Sequence, residues 1–232
     1  DGLGYPSQML QVAAGNGGGS DIVQPIVYDA LSREERKYLP YSQKDNNAQY
    51  VNDDLEKQNN YYLDKYRMTD RESAYAYTHD TYESSPLNRI SRSRNAGAEF
   101  QPDDRAVDKG YLGNEAMTIL RLDADRATNE LVVNGYYGAN TLSGVRTENE
   151  DGAVTVVFCD EQDRVIYEDH QLRNENDLEH LITRYVYDDC GRLAWCITPK
   201  GADLLADSQR YGLSDAFTKQ NCYAYVYDGF GR

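Results

Sequence analysis

From Ala116 onward, apolar and polar positions alternate along the chain. The runs are TILRLDA, NELVVNGYY and, after an Asp151-Gly152 turn, AVTVVFC. A period of two puts one set of side chains on a core face and the other on a wet face, so this stretch predicts antiparallel strands through Ile166. Residues 1–41 read as short strands around the Gly/Ser loop AAGNGGGSD. Between Asn47 and Tyr66, the residues Tyr50, Leu55, Tyr62 and Tyr66 fall at mostly helix-like intervals, which predicts one helix near 47–66. Residues 83–110 contain Pro86, Pro102 and several glycines and predict irregular chain. The segment GADLLADSQRYGLSDAF, residues 201–217, predicts a helical insertion, and LEHLIT predicts a short helix with a polar face. The fold class expected is mainly β, built from antiparallel hairpins with one or two short helices. It divides into an amino-terminal domain over 1–115 and repeated hairpins over 116–232.

A short pattern punctuates these strands. In VYDDCGRLAW, Asp188 stands at the first position of a turn and Gly191 at the fourth, the preference of a type I β-turn. Such a turn followed by a residue of positive φ makes a three-residue hairpin with a bulge, and glycine takes positive φ without penalty. Asp188 and Arg192 then face each other across the hairpin mouth, a pairing that contributes about 0.2–1 kcal/mol. Asp188 can also accept from the turn amides. Tyr185 and Tyr187, two apart, are expected on one face of the incoming strand.

The pattern returns. VYDALSR carries Asp29 and Arg33 with Ser32 in the glycine place, and FCDEQDRV carries Asp160 and Arg164 with Asp163 there. VYDGFGR supplies Tyr227, Asp228, Gly231 and Arg232. The opening DGLGYP fits with Gly4, although Tyr5 replaces the arginine. The five instances start at Asp1, Asp29, Asp160, Asp188 and Asp228, and two of the four intervals are 28 residues. A unit recurring at this length marks a repeat architecture. The pattern, including Tyr187 before Asp188, is therefore read as structural, and the turns at Asp1, Asp29 and Asp160, which depart from it, are expected to deviate most.

These residues resemble the Tyr-Asp repeats of the bacterial RHS family. The segment from Asp1 to Tyr41 is similar to the opening of the amino-terminal domain that precedes the repeats in one large RHS group, and YESSPLNRI, residues 82–90, to that domain's Glu-x-Ser-Pro-Leu-Asn-Arg segment. NEDGAVTVVFCDEQDRVIYED and YVYDDCGRLAWCITPKG are similar to the repeats themselves. The resemblance implies a β-sheet ribbon that winds into a hollow shell, enclosing in many members a toxic carboxy-terminal cargo. It implies a parent protein that is secreted or displayed at the cell surface, with the rest of the shell and its cargo as partners. The chain opens in the middle of a motif, so any leader is expected to lie outside it.

Composition narrows the alternatives. Of 232 residues, 39 are acidic and 24 basic, a formal charge of −15, which repels nucleic acid and anionic membrane surfaces. No apolar run approaches the ~20 residues of a membrane-spanning helix. Tyrosine occurs 21 times against 4 Phe and 1 Trp, a bias suited to half-wet strand faces. Cys159, Cys190, Cys196 and Cys222 lack CxxC spacing and read as free thiols or small buried hydrophobes, with one disulfide open to an exported chain.

Candidate chemistry is sparse. His79, His170 and His180 lie far apart in sequence, no HExxH or Gly-x-Ser-x-Gly is present, and GNGGGS lacks the Lys-Ser/Thr of a phosphate loop. LDADRATNE has Asp123 and Asp125 at calcium-loop spacing but lacks the ligand at the fifth position and the glycine at the sixth. Arg89, Arg92 and Arg94 cluster and read as a solvated loop facing the acidic surface, with a small anion or acidic sugar as the alternative. Tyr136 and Tyr137, Tyr185 and Tyr187, or Tyr225 and Tyr227 are candidate sugar-stacking platforms, against the reading that they pack within the sheet. The expectation is a non-enzymatic structural protein without cofactor or metal; the alternative is a carbohydrate-binding surface module.

Overall fold

The computed structural model describes residues 2, 4–15, 19–68, 73–101, 105–173, 177–228 and 230–231. Asp1, Arg232, Pro102 and the centre of the Gly/Ser loop lie outside the described residues. The fold is mainly β, with antiparallel pairing in every strand ladder described and three short helices. The chain divides into two compact units, Asp1–Asp108 and Lys109–Arg232.

In the first unit, β1 (Gln8–Gln11) pairs with β2 (Ser20–Val27), which also pairs with β3 (Arg36–Tyr38) and β4 (Tyr41–Lys44). Helix α1 (Asp54–Tyr66) follows, then β5 (Tyr77–Tyr82) against β3 and β6 (Ile90–Arg94) against β5. The core collects Val23, Tyr41, Val51, Tyr62, Ala74 and Ala76. Tyrosines suit it because a ring can be buried while its hydroxyl reaches a polar group: Tyr62 donates to the Pro40 carbonyl at 2.7 Å, whereas the buried Tyr41 hydroxyl has no hydrogen-bond partner among the described residues. Gln58, buried on α1, donates to the carbonyls of Leu39 and Ala76 and ties the helix to two chain segments.

The helix starts later than its spacing suggests. Asn47, Ala48 and Asp53 adopt left-handed backbone, φ 48°, 59° and 55°, and only from Asp54 does the chain run helically. Residues 83–110, expected to be irregular, contain β6 and the start of β7 (Val107–Gly113). The strand ISRSR alternates serine with arginine, so it carries no hydrophobic period. Within this unit Ser93 pairs with Val107 and Arg92 with Asp108.

In the second unit, β10 (Ser143–Glu148), β11 (Val154–Cys159), β12 (Val165–Arg173), β13 (Leu178–Tyr187), β14 (Leu193–Ile197) and β16 (Cys222–Ala224) pair in that order, with β7 beside β10. A second, three-stranded sheet holds β8 (Leu120–Asp125), β9 (Glu130–Tyr136) and β15 (Arg210–Tyr211). Leu131, Val133 and Tyr211 from it meet Val186, Trp195 and Ile197 from the larger ladder, and this is the unit's main core. LEHLIT, expected as a helix, lies in β13, where pairing with β12 overrides its local preference.

The insertion at 201–217 is not one helix either. It holds α2 (Pro199–Ala202), the strand β15 and α3 (Ala216–Asn221). Tyr211 gains more by pairing with Leu131 and burying its ring, packed against Phe217 at 4.3 Å between centroids, than a solvated helix could provide.

Candidate functional site

The recurring Asp-centred turns share one geometry. The Gly191 amide donates to the Asp188 carbonyl at 2.8 Å, which closes a β-turn, and the Asp188 amide donates to the Arg192 carbonyl at 2.8 Å. One carboxylate oxygen of Asp188 accepts from the amides of Cys190 and Arg192, both at 2.9 Å; the other takes the Arg192 guanidinium at 2.7–2.8 Å. Asp160 repeats this with the amides of Gln162 and Arg164 and the Arg164 guanidinium, and Asp29 with the amides of Leu31 and Arg33 and the Arg33 guanidinium. At Asp228 the same oxygen accepts from Phe230 and the same carbonyl from Gly231; Arg232 lies outside the described residues. Burial alone would raise the Asp188 and Asp160 pKa values, but the guanidinium and amide hydrogen bonds outweigh it and hold both below the ordinary carboxylate value.

Two substituted turns keep the geometry in full. Ser32 and Asp163 stand where glycine is preferred, yet take φ 60° and 57°, beside 77° at Gly191 and Gly231. The bonds fixed by Asp29 and Asp160 over-determine the loop, so a non-glycine residue is held left-handed. The turn expected at Asp151-Gly152 is a further one of this kind: the Asn149 side chain accepts from the amides of Asp151 and Ala153, with Gly152 at φ 80°. An amide oxygen can replace the carboxylate for the backbone, but no arginine follows it.

The arginines do a second job. Each lies over the tyrosine that precedes a later acidic turn residue: Arg164 over Tyr187 at 4.9 Å, Arg192 over Tyr227 at 4.4 Å, and Arg33 over Tyr82, next to Glu83, at 4.4 Å. The tyrosine hydroxyl reaches back and donates to the carbonyl just after that arginine, Tyr187 to Val165 at 3.0 Å and Tyr227 to Leu193 at 2.8 Å. Gly191 and Gly231 pass over the same arginines; a Cβ there would lie 3.7 Å from Arg164 and 3.2 Å from Arg192. Tyr, Asp, Gly and Arg thus form one device: Asp and Arg close a turn, while Tyr and Gly receive the arginine of the turn before. Tyr5, in an arginine place, packs against Tyr28 ahead of Asp29, with centroids 5.2 Å apart and the rings tilted.

The remaining candidates separate. Arg89 is held by Glu83 and Arg92 by Asp108, whereas Arg94 faces His79 across the sheet. Each histidine contacts a carboxylate: His79 Glu35, His170 Glu168 and His180 Asp169. Asp125 accepts from the amides of Ala127 and Thr128 and from Arg210, as a turn residue would. Among the described residues, no group of three or more His, Cys, Asp or Glu could hold a metal ion, and no helix is long and apolar enough to cross a membrane. All four cysteines are free thiols; burial pushes Cys159 and Cys196 up and Cys222 up to about 11.

Tyr136 is 40% exposed, while Tyr137 packs against the cluster of Ile119, Leu142, Phe158 and Ile166, and burial raises its hydroxyl pKa. Tyr185 donates to Glu168 at 3.0 Å. Tyr225 and Tyr227 line a cleft of about 550 Å³, together with Trp195, Asp125, Arg126 and Phe230.

Several buried polar groups carry no signature in the local sequence, among them Asp21, Asp169 and Arg184. Asp21 accepts from the amides of Ala13 and Ala48 and from Asn46, and those backbone bonds lower its pKa. Asp169 and Arg184 are buried on β12 and β13; Arg184 lies over the Tyr167 ring at 5.3 Å, and burial lowers its pKa.

Residues 1–113 match the model of DUF6443, a domain of unknown function. No curated protein matches the chain.

Proposed function

We propose that this chain is a non-enzymatic architectural element of an exported RHS/YD-repeat protein, one that builds or caps a β shell. The observation that carries the reading is the coupling between turns: the arginine of one turn is clamped by the tyrosine of a later one at Arg33–Tyr82, Arg164–Tyr187 and Arg192–Tyr227. Interactions passed from unit to neighbouring unit are what a wound repeat array needs, because no single hairpin buries a core of its own. The acidic turn residues and their arginines are consumed by this geometry, which leaves them no free role in acid–base chemistry. The partners on this reading are the rest of the parent's shell and a carboxy-terminal toxic cargo, with toxin enclosure or cell contact as the biological setting.

The test is the denatured intact mass of the full-length parent after purification. Two fragments, a large one containing this region and a small carboxy-terminal one, are expected for a self-cleaving shell. A single uncut mass removes the cargo part of the proposal.

A second reading, a carbohydrate-binding surface module, draws on the cleft beside Tyr225 and Tyr227 and on exposed Tyr136. It predicts glycan-array binding that is lost on Tyr225→Ala or Tyr136→Ala. An array without signal removes it.

A further inference from the structure

One edge of the larger ladder is open. Among the described residues, β16 pairs with β14 and with no other strand. Trp195 is opposite Ala224, and the Tyr225 amide donates to the Ala194 carbonyl at 2.8 Å. In an antiparallel ladder a residue turns its N–H and C=O to one neighbour, and the next residue turns them to the other side. Tyr223 and Tyr225 therefore direct theirs at β14, while those of Ala224, and of Val226 in the same alternation, point away from it. Natural sheets guard such an edge with charges, proline or bulges. Strand β8, at an end of the smaller sheet, carries Arg121, Asp123 and Asp125. Residues 222–227, CYAYVY, carry no charge and no proline.

The side chains along this edge are apolar and open to solvent. Tyr223 is 64% exposed, Tyr225 46%, Val226 58% and, in the following turn, Phe230 86%. Ala224, Tyr225, Val226 and Phe230 also line the cleft of about 550 Å³, so edge and cleft form one surface. Residues 223–227 read Tyr-Ala-Tyr-Val-Tyr, nearly the same in either direction. A second copy turned about a two-fold axis through Tyr225 runs antiparallel to the first. Tyr225 then faces its own counterpart, Tyr223 faces Tyr227, and Ala224 faces Val226. The last pairs join the residues whose main-chain groups are open, each pair exchanging both N–H to C=O bonds. Aromatic residues directly opposite each other stabilise a sheet, and a slip of one residue would set tyrosine against alanine or valine.

From this self-complementarity we infer that the β16 edge is a two-fold interface between two copies of this chain, centred on Tyr225. The inference goes beyond the architectural reading and does not depend on it. The paired residues are uncharged, whereas the chain as a whole carries −15, so repulsion between copies opposes the contact and salt strengthens it. At 150–250 Å² for a whole aromatic side chain, the four exposed side chains offer about 500 Å² per copy. Two copies then bury about 1,000 Å², the lower limit for a specific interface, which makes the dimer a micromolar one. The contact occupies the β16 edge of each copy, so association stops at two.

The test is sedimentation velocity of the 232-residue chain from about 1 to 500 µM. The expected result is a monomer–dimer equilibrium without larger species, tightening severalfold between about 0.05 and 0.5 M NaCl. Val226→Pro removes an N–H from the open edge without touching the bonds to β14, and Tyr225→Lys sets like charges opposite each other on the axis. Each should weaken the dimer about tenfold or more. Both positions are exposed, and the fluorescence of buried Trp195 during urea unfolding checks that the variants stay folded. Register is read by cross-linking, because partners outside the hydrogen-bonded pairs lie about 4.5 Å apart at Cα, within reach of a disulfide. Under mild oxidation Tyr225→Cys should form a linked dimer, and Tyr223→Cys none beyond that of the unmodified chain. A dimer indifferent to both edge variants, assembly without limit, or Tyr225→Cys linking no better than Tyr223→Cys overturns the inference. A chain monomeric at every concentration also overturns it and leaves the edge to an extended strand of another protein.

Discussion

Gly191→Ala tests the turn device at its most exposed assumption. Gly191 sits at φ 77°, and a Cβ added there would meet only Arg164 Nη1 at 3.7 Å, an ordinary contact. Space is therefore not the obstacle, and the penalty is conformational. Left-handed backbone costs an L-residue about 1–2 kcal/mol. Restricting the unfolded chain returns about 0.4–1 kcal/mol of that. The net loss is about 1 kcal/mol, and Gly191→Asn should lose less, because asparagine tolerates this region. The assay is urea unfolding followed by fluorescence of Trp195, the single tryptophan, which is 2% exposed in the second unit's core. The midpoint should fall at unchanged slope. Alanine and asparagine variants that both unfold at the original midpoint would refute the claim that the turn imposes positive φ.

Four further outcomes follow from the same geometry. A double-mutant cycle on Arg164→Met and Tyr187→Leu should give a coupling of about 0.5–2 kcal/mol for the cation over the ring, and additive single effects would contradict the ladder. Arg184→Met should leave stability unchanged or raise it by about 1–4 kcal/mol, because it removes a buried guanidinium that lacks partners on Nε and Nη1; a large loss in chemical denaturation would show that the charge is satisfied. Gly144→Ala should cost about 1–3 kcal/mol by overpacking, since its Cβ would lie 2.5 Å from the Phe158 ring and 3.0 Å from Leu112; an unchanged melting temperature would refute this. Asp160, Asp188 and Asp21 have folded pKa values below their ordinary ones. Their contribution is therefore complete above the unfolded carboxylate value and lost as pH falls through the lower folded value, so stability should drop on acidification below about pH 4. Melting curves with no such drop, or an Asp188→Asn variant that keeps it undiminished, would show that these carboxylates are not the cause.

The sequence alone determined what is local. Asp188, Gly191 and Arg192 specify a turn through bonds that span five residues, so the motif is complete in the order of residues. Period-two alternation from Ala116 to Ile166 specified strands in the same way. The one strong helical period placed α1, although only tertiary packing put its first turn at Asp54.

What the chain order could not express is which distant residues meet. Arg164 and Tyr187 are joined across two strands, and nothing near either residue announces the pairing. Strand β6 alternates serine with arginine, so its burial pattern comes from neighbours and not from its own hydrophobicity. In the 201–217 segment, Tyr211 left a helical period because pairing with β9 and packing on Phe217 bury its ring. The β3–β5–β6 ladder likewise sets Arg36, His79 and Arg94 directly opposite one another. These residues are separated by 43 and 15 residues, and only the register of β3, β5 and β6 sets them side by side. Turn chemistry acts through bonds a few residues long, whereas lateral alignment is decided by the free energy of the whole sheet.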